Sequence, residues 1–335
     1  MKEALFYKNI EGNSKSRSND SKIKCLLCPH ECVITDGKRG ICGVRENRSG
    51  KLMALNYGRI ATVQMDPIEK KPLYHFHPGS QILSLGGVGC NFACAFCQNW
   101  SLVSSNIPYS ETPPEDVPEL AKKYDSIGVA YTYNEPLIWY EFLLDSGAKN
   151  KYAGLYNVLV TNGFINKKPL EKLLPIIDAM NIDLKSVHDS FYKEHCRGRL
   201  EPVKETIRLA NENSLVEVTY LVIPGVNDAD EDIITLTEFL SDINPDIPLH
   251  LSRYFPHRSF KSPPTPPATM SKAHDIARER LHYVYVGNLD TDVGSNSYCP
   301  NCNALLVERT GYRTKIDNLF KDTCNKCQTK LNFVG

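Results

Sequence analysis

Cys90-Asn-Phe-Ala-Cys94-Ala-Phe-Cys97 sets three cysteines at C-x3-C-x2-C spacing just after an apolar run, Ile82-Leu-Ser-Leu85. Iron–sulfur clusters that only carry electrons are normally held by four cysteine thiolates. Three thiolates from one short loop point to a [4Fe–4S] cluster with one iron left open, and an open metal position is where chemistry can happen. A zinc site, or an electron-transfer cluster completed by a remote fourth ligand, is the competing chemistry for the same residues.

The remaining cysteines of the twelve fall into two further groups and a singleton. Cys299-x2-Cys302 and Cys324-x2-Cys327 flank a hairpin-like stretch, Leu305-Leu-Val-Glu-Arg-Thr-Gly-Tyr-Arg313, in the two-knuckle spacing of a zinc ribbon. Four thiolates closing on one ion make a structural site, although a four-cysteine cluster fits the spacing nearly as well. Cys25-x2-Cys28-x3-Cys32-x9-Cys42 is another four-ligand group, with His30 as a possible substitute; it reads as zinc, with an auxiliary cluster as the alternative. Cys196, alone in His195-Cys-Arg-Gly-Arg199, is either a group acting on substrate or a buried free thiol.

The segment between these groups must position the open cluster. Strands are predicted over Ile82–Gly86, Ile127–Tyr133, Tyr156–Thr161, Ala179–Leu184, Val216–Ile223, Leu249–Tyr254 and Tyr283–Val286, from β-branched and aromatic enrichment between turn residues. Helical periodicity alternates with them over Pro114–Tyr124, Leu137–Lys149, Lys168–Pro175, Glu201–Asn213, Asp228–Ile243 and Thr269–Leu281, with Asp228 before Glu231 as a capping-box start. Such alternation implies an α/β fold with parallel strands in an open or partial (β/α) barrel, whose chemistry gathers at the carboxyl ends of the strands. Those ends are rich in polar residues and glycine: Asn134-Glu135, Thr161-Asn162-Gly163, Asp183-Leu-Lys185, Asn227-Asp228 and His250. The expected divisions are a four-cysteine module and lead-in over 1–79, the barrel over 80–290 and a ribbon-like module over 291–335.

Thirty-nine basic and 39 acidic residues cancel, so no global field favours a polyanion and nucleic acid is an unsupported partner. No run approaches the roughly 18 apolar residues that span a bilayer, nor does the start of the chain show a secretory h-region. The expectation is a cytoplasmic, reducing setting, where clustered cysteines bind metals more often than they crosslink.

Beyond the three-cysteine motif with Phe96, five further stretches carry a resemblance: Cys25-Leu-Leu-Cys-Pro-His-Glu-Cys32, Arg39-Gly-Ile-Cys42, Asp66-Pro-Ile-Glu-Lys-Lys-Pro72, His75-Phe-His-Pro-Gly79 and Cys97-Gln-Asn-Trp100. The sequence resembles the AmmeMemoRadiSam-system radical S-adenosylmethionine (SAM) enzymes, relatives of the pyruvate formate-lyase activating enzyme. The resemblance implies a partial (β/α)6 barrel, a [4Fe–4S] cluster on Cys90, Cys94 and Cys97, SAM chelated at the open iron, and a 5′-deoxyadenosyl radical that abstracts hydrogen from substrate. It implies Glu135 at the SAM amino group, in the acidic position of a Gly-Gly-Glu motif whose glycines are here Tyr133 and Asn134. Asp183 and Lys185 would meet the ribose and carboxylate, Thr161 and Asn162 the same network, His250 a position near SAM, and Phe96 the adenine. Val160 stands where activating enzymes carry an acid. The implied partners are a ferredoxin- or flavodoxin-type donor, Memo-type and AMMECR-type proteins, and an unidentified small-molecule or protein substrate.

Weaker candidates are His75 and His77 for a lid, Asn227-Asp228 for the pocket wall, and Tyr131, Tyr133 and Tyr254 for radical relay or substrate contact. Two other functions fit parts of the pattern. One is an activase that abstracts hydrogen from a backbone glycine of another protein; the other is a non-catalytic, zinc-stapled binding module.

Overall fold

A computed structural model describes residues 1–10, 21–103, 107–291 and 293–335. The apolar runs form strands β1 (Thr62–Pro67), β2 (Gln81–Gly86), β3 (Gly128–Tyr131), β4 (Tyr156–Thr161), β5 (Ala179–Asp183), β6 (Leu215–Val222), β7 (Leu249–Arg253) and β8 (Val284–Gly287) of one eight-stranded sheet. From β2 to β8 each strand lies parallel beside its predecessor in the chain. Six crossovers carry helices α1 (Val117–Lys123), α2 (Tyr140–Tyr152), α3 (Lys167–Leu173), α4 (Glu201–Asn211), α5 (Asp230–Ile243) and α6 (Pro267–Arg278). The strands read as near-continuous apolar runs because both their faces are covered.

Alternation along each strand sorts side chains between those faces. Leu83, Leu85, Val129, Leu159, Met180, Ile182 and Val218 pack with Phe142, Leu143, Leu170, Ile207, Leu236 and Met270 of the helices. Their neighbours Ile82, Ala130, Val158 and Ala179 pack on Ile68, Leu73 and Phe76 of the segment after β1. That segment plugs the amino-terminal end of the opposite face, leaving the carboxyl ends for chemistry.

Three local expectations change. Thr62–Pro67 pairs antiparallel with β2, Asp66 opposite Ile82, as an edge strand that its half-polar sequence concealed. Asp228 is not the cap of α5: the helix starts at Asp230 after Ala229, and the Asp228 carboxylate accepts from Gly225 N at 2.7 Å within the preceding turn. The last long helix begins at Pro267, two residues before the predicted start, because the fixed φ of proline suits the first helical position.

The flanking modules are small antiparallel sheets. Tyr7–Ile10, Lys22–Cys25 and Val33–Thr35 form one, and Lys2–Glu3, Lys51–Ala54 and Arg45–Arg48 another. Near the other end, Ser297–Tyr298, Leu305–Thr310 and Arg313–Ile316 pair around a small core containing Cys299, Val307, Cys324 and Phe333. His75 joins this last module to the sheet and is no lid. It is fully buried, stacked on Phe333 at 3.7 Å, with Nδ1 on Asn332 O at 2.7 Å and Nε2 on Tyr285 Oη at 2.8 Å. Among the described residues no helix is long and apolar enough to cross a membrane.

Candidate active site

The cysteine loop leaves β2 through Gly86-Gly87-Val88-Gly89, and Gly89 has φ +86°, a conformation that glycine adopts without a Cβ penalty. A Cβ there would also lie 2.6 Å from Cys42 O, so the N-terminal module presses directly on the residue before Cys90. Asn134 braces the same turn, donating from Nδ2 to Gly89 O at 2.8 Å and accepting from Gly87 N at 3.0 Å. Farther along, Asn91 donates to Phe164 O and accepts from Asn162 Nδ2, both at 2.9 Å. Ala93 N and Ala95 N reach Cys196 O and His195 O, each at 2.9 Å, while Arg258 donates to Cys94 O at 2.8 Å. Five separate segments thus hold a loop that has no regular secondary structure of its own.

Around it stand the charged residues of the strand ends. Burial pushes the Cys90 thiol well above its ordinary range, and the nearby charges of Glu135, Cys94 and Cys97 push the same way. Burial likewise raises Cys97. Cys94 moves down, chiefly because the Cys196 thiol donates a hydrogen bond to it, and Lys185 adds to the effect. Cys196 is therefore a neighbour of Cys94, and its own proton is held more tightly in consequence. Lys185 Nζ pairs with Asp183 at 2.9 Å; burial disfavours its charge, but Asp183, Cys94 and Cys196 outweigh burial and keep the ammonium. The same Nζ lies 6.0 Å from the centre of the buried Phe96 ring.

Glu135 closes the group. Its Oε1 accepts from Thr161 Oγ1 at 2.6 Å and Leu137 N at 2.9 Å, and Oε2 accepts from Asn162 N at 2.8 Å. Burial nonetheless pushes this carboxyl up to about 7, against those three donors. A carboxylate poised in this way gains from a further positive partner, as a buried charge does generally. His250 lies in the register row of Asp183, through Thr219, and its Nε2 meets the fully buried Glu217 at 2.6 Å.

The two residues in glycine positions each have a physical account. Tyr133 keeps a glycine-like φ of +70°, costing roughly 1–2 kcal/mol. Its hydroxyl donates to Asp66 and its ring carries Lys71 Nζ at 4.6 Å. Asp66 holds Lys70 and Lys71 at 2.8 and 2.5 Å; against burial, these donors and Tyr133 keep its carboxyl far below the usual range. Asn134 is the brace described above. Sequence reading missed both roles, as it missed Asn91, because each depends on which loops meet at the strand ends.

Other candidates prove structural. Asn227 is buried and spends its amide on Ile223 N, Lys185 O and Leu221 O. Tyr131 bonds Ser146 at 2.7 Å and Tyr254 donates to Phe260 O at 2.9 Å.

The three thiol sets differ in spacing. Cys299, Cys302, Cys324 and Cys327 have all four sulfurs within 4.8 Å of one another, with Cys299–Cys327 at 3.5 Å and Cys302–Cys324 at 3.8 Å. That arrangement suits one tetrahedral ion. Among the described residues no other three potential ligands come that close, including Cys90, Cys94 and Cys97.

A three-cysteine loop at the carboxyl ends of parallel strands, faced by an acid, an ammonium and an aromatic ring, defines the class of proteins that generate radicals from SAM. Residues 85–237 match the pattern of the Radical SAM superfamily. An uncharacterised protein of Methanocaldococcus jannaschii is 44% identical over the full length of both chains. The pyruvate formate-lyase 1-activating enzyme of Escherichia coli is 28% identical over 46% of this chain and 66% of its own length. A solved domain of a pyruvate-formate lyase-activating enzyme from Bacteroides vulgatus is 24% identical, with a TM-score of 0.42 over 48% of this chain and 99% of that one. The chain thus carries a Radical SAM domain and is an enzyme; [4Fe–4S] and SAM are the cofactors of the family that this domain matches.

Proposed function

We propose that this enzyme cleaves SAM reductively at a [4Fe–4S] cluster held by Cys90, Cys94 and Cys97 and abstracts a hydrogen atom from a substrate bound beyond the 5′-carbon. The convergence of the three thiols with Glu135, Asp183 and Lys185 in one electrostatic neighbourhood carries this reading. When bound, the cluster supplies one electron to the sulfonium, so that methionine and a 5′-deoxyadenosyl radical result.

The residues of the chain do the orienting. Glu135, held by Thr161 and Asn162, accepts from the SAM amino group; Lys185 meets its carboxylate, Asp183 its ribose, and Phe96 stacks on adenine. His250 contributes from the same register row as Asp183, its tautomer set by Glu217. The C-terminal quartet holds zinc, with sulfur separations favouring a single ion. A ferredoxin- or flavodoxin-type protein is the donor, Memo-type and AMMECR-type proteins are partners in the same system, and the setting is the cytoplasm.

Anaerobic reconstitution tests the proposal. The reduced protein should convert SAM to methionine and 5′-deoxyadenosine, and Cys94→Ala should lose the cluster bound at that loop together with cleavage. Wild-type protein that binds no iron, or never yields 5′-deoxyadenosine, would refute it. The likeness to activating enzymes favours a second reading, in which the abstracted hydrogen belongs to a backbone glycine of a partner protein. A glycine-centred doublet in the partner's paramagnetic resonance spectrum distinguishes that case.

A further inference from the structure

Cys25, Cys28, Cys32 and Cys42 line one pocket with Leu27, Ile34 and Arg45. His30 lines the same pocket, where its Nε2 donates to Asn91 O at 2.8 Å and its ring packs on Phe164. The sulfurs converge, yet no three of them come within the 4.8 Å that gathers the C-terminal quartet.

The second observation is Arg45. It is 1% exposed and gives Nη2 to Glu141 at 2.8 Å, but its Nε and Nη1 have no partner, although the residue lines the cavity. Two unpaired donors of a buried guanidinium cost several kcal/mol unless an acceptor meets them. A metal centre with four thiolate ligands carries net negative charge and sulfur acceptors, and meets that requirement.

The third is adjacency. Cys42 O abuts Gly89, and His30 bonds the backbone of Asn91, so the cavity contacts both neighbours of Cys90. We propose that Cys25, Cys28, Cys32 and Cys42 hold a second iron–sulfur cluster that passes electrons to the cluster at Cys90, Cys94 and Cys97. A low-potential one-electron donor, such as a reduced flavodoxin-type protein or dithionite in vitro, reduces the second cluster. That cluster is reoxidised as the first takes up the same electron, with no proton or leaving group involved. The relay half rests on the radical SAM reading, whereas the metal content of the N-terminal site does not.

The test is anaerobic metal and sulfide analysis of the full chain beside C90A/C94A/C97A, which leaves the N-terminal module intact. Wild type should hold about eight iron, about eight sulfide and about one zinc, and the triple variant about four iron and about four sulfide. Reduced by dithionite, the remaining cluster of the triple variant should give a paramagnetic resonance signal. The same signal in wild type should need at least twofold more microwave power to saturate, because a second paramagnet lies close by. A triple variant with no iron and two zinc per chain overturns the site. Iron in place but identical saturation overturns the relay. Wild type with about four iron and two zinc would sink this inference while leaving the proposed function standing.

Discussion

Gly89→Ala strikes the contact between the N-terminal module and the cluster loop. Two costs arise there. The backbone sits at φ +86°, which an L-residue occupies at roughly 1–2 kcal/mol. The new methyl would lie 2.6 Å from Cys42 O and 2.8 Å from a Val44 methyl, and forcing a carbon into a packed contact costs about 1–3 kcal/mol more. Gly37 supplies the control: its φ is +69°, and a Cβ there meets nothing within 4 Å, so Gly37→Ala incurs the backbone cost alone. The two variants should therefore differ by about 1–3 kcal/mol in urea unfolding under anaerobic conditions. Gly89→Ala should also bind less iron at the Cys90 loop, since the strain is relieved by moving the residue next to the ligand. Equal midpoints for the two variants, with equal iron, would refute the claim that the module bears on this loop.

Two further outcomes follow from the other joints. His75 is buried neutral, its pKa pushed down to about 3 chiefly by desolvation, so between its ordinary pKa and about 3 the unfolded chain binds the extra proton. Stability from this group is complete above the unfolded pKa and falls as pH drops below it, at up to about 1.4 kcal/mol per pH unit; wild type should weaken between pH 6.5 and 4 in urea titrations, and His75→Gln should flatten that slope. Cys324→Ser should remove about one zinc per chain and none of the iron, and zinc retained in full would refute a closed four-thiolate ion site.

Much of this architecture was legible because parallel strands covered on both faces announce themselves as apolar runs. Tyr156–Thr161 was predicted without error, and most other strand ends moved by only one or two residues. The edge strand Thr62–Pro67 was hidden because it is mostly half-buried and half of its residues are polar. The cysteine motif and the strand-end charges were legible as local patterns. The loop braces were not: Asn134, Asn91 and His30 act across sequence separations of 45, 73 and 61 residues, which no local period encodes. Tyr133 shows the converse, a side chain in a glycine position whose backbone geometry is kept and whose cost is offset by Asp66 and Lys71.

The joint at His75 also bears on the order in which the chain can fold. Its bond to Asn332 closes a span of 257 residues, and a loop of that length costs roughly 5 kcal/mol of chain entropy beyond a constant. Such a contact forms only after the sheet has taken shape, and so many distant pairings slow folding. During that interval the ion-sized quartet and the two wider sets are all open to whatever metal is present. Maturation of this enzyme is therefore a sorting problem in time: excess zinc early in folding would compete for the thiols that we propose hold clusters.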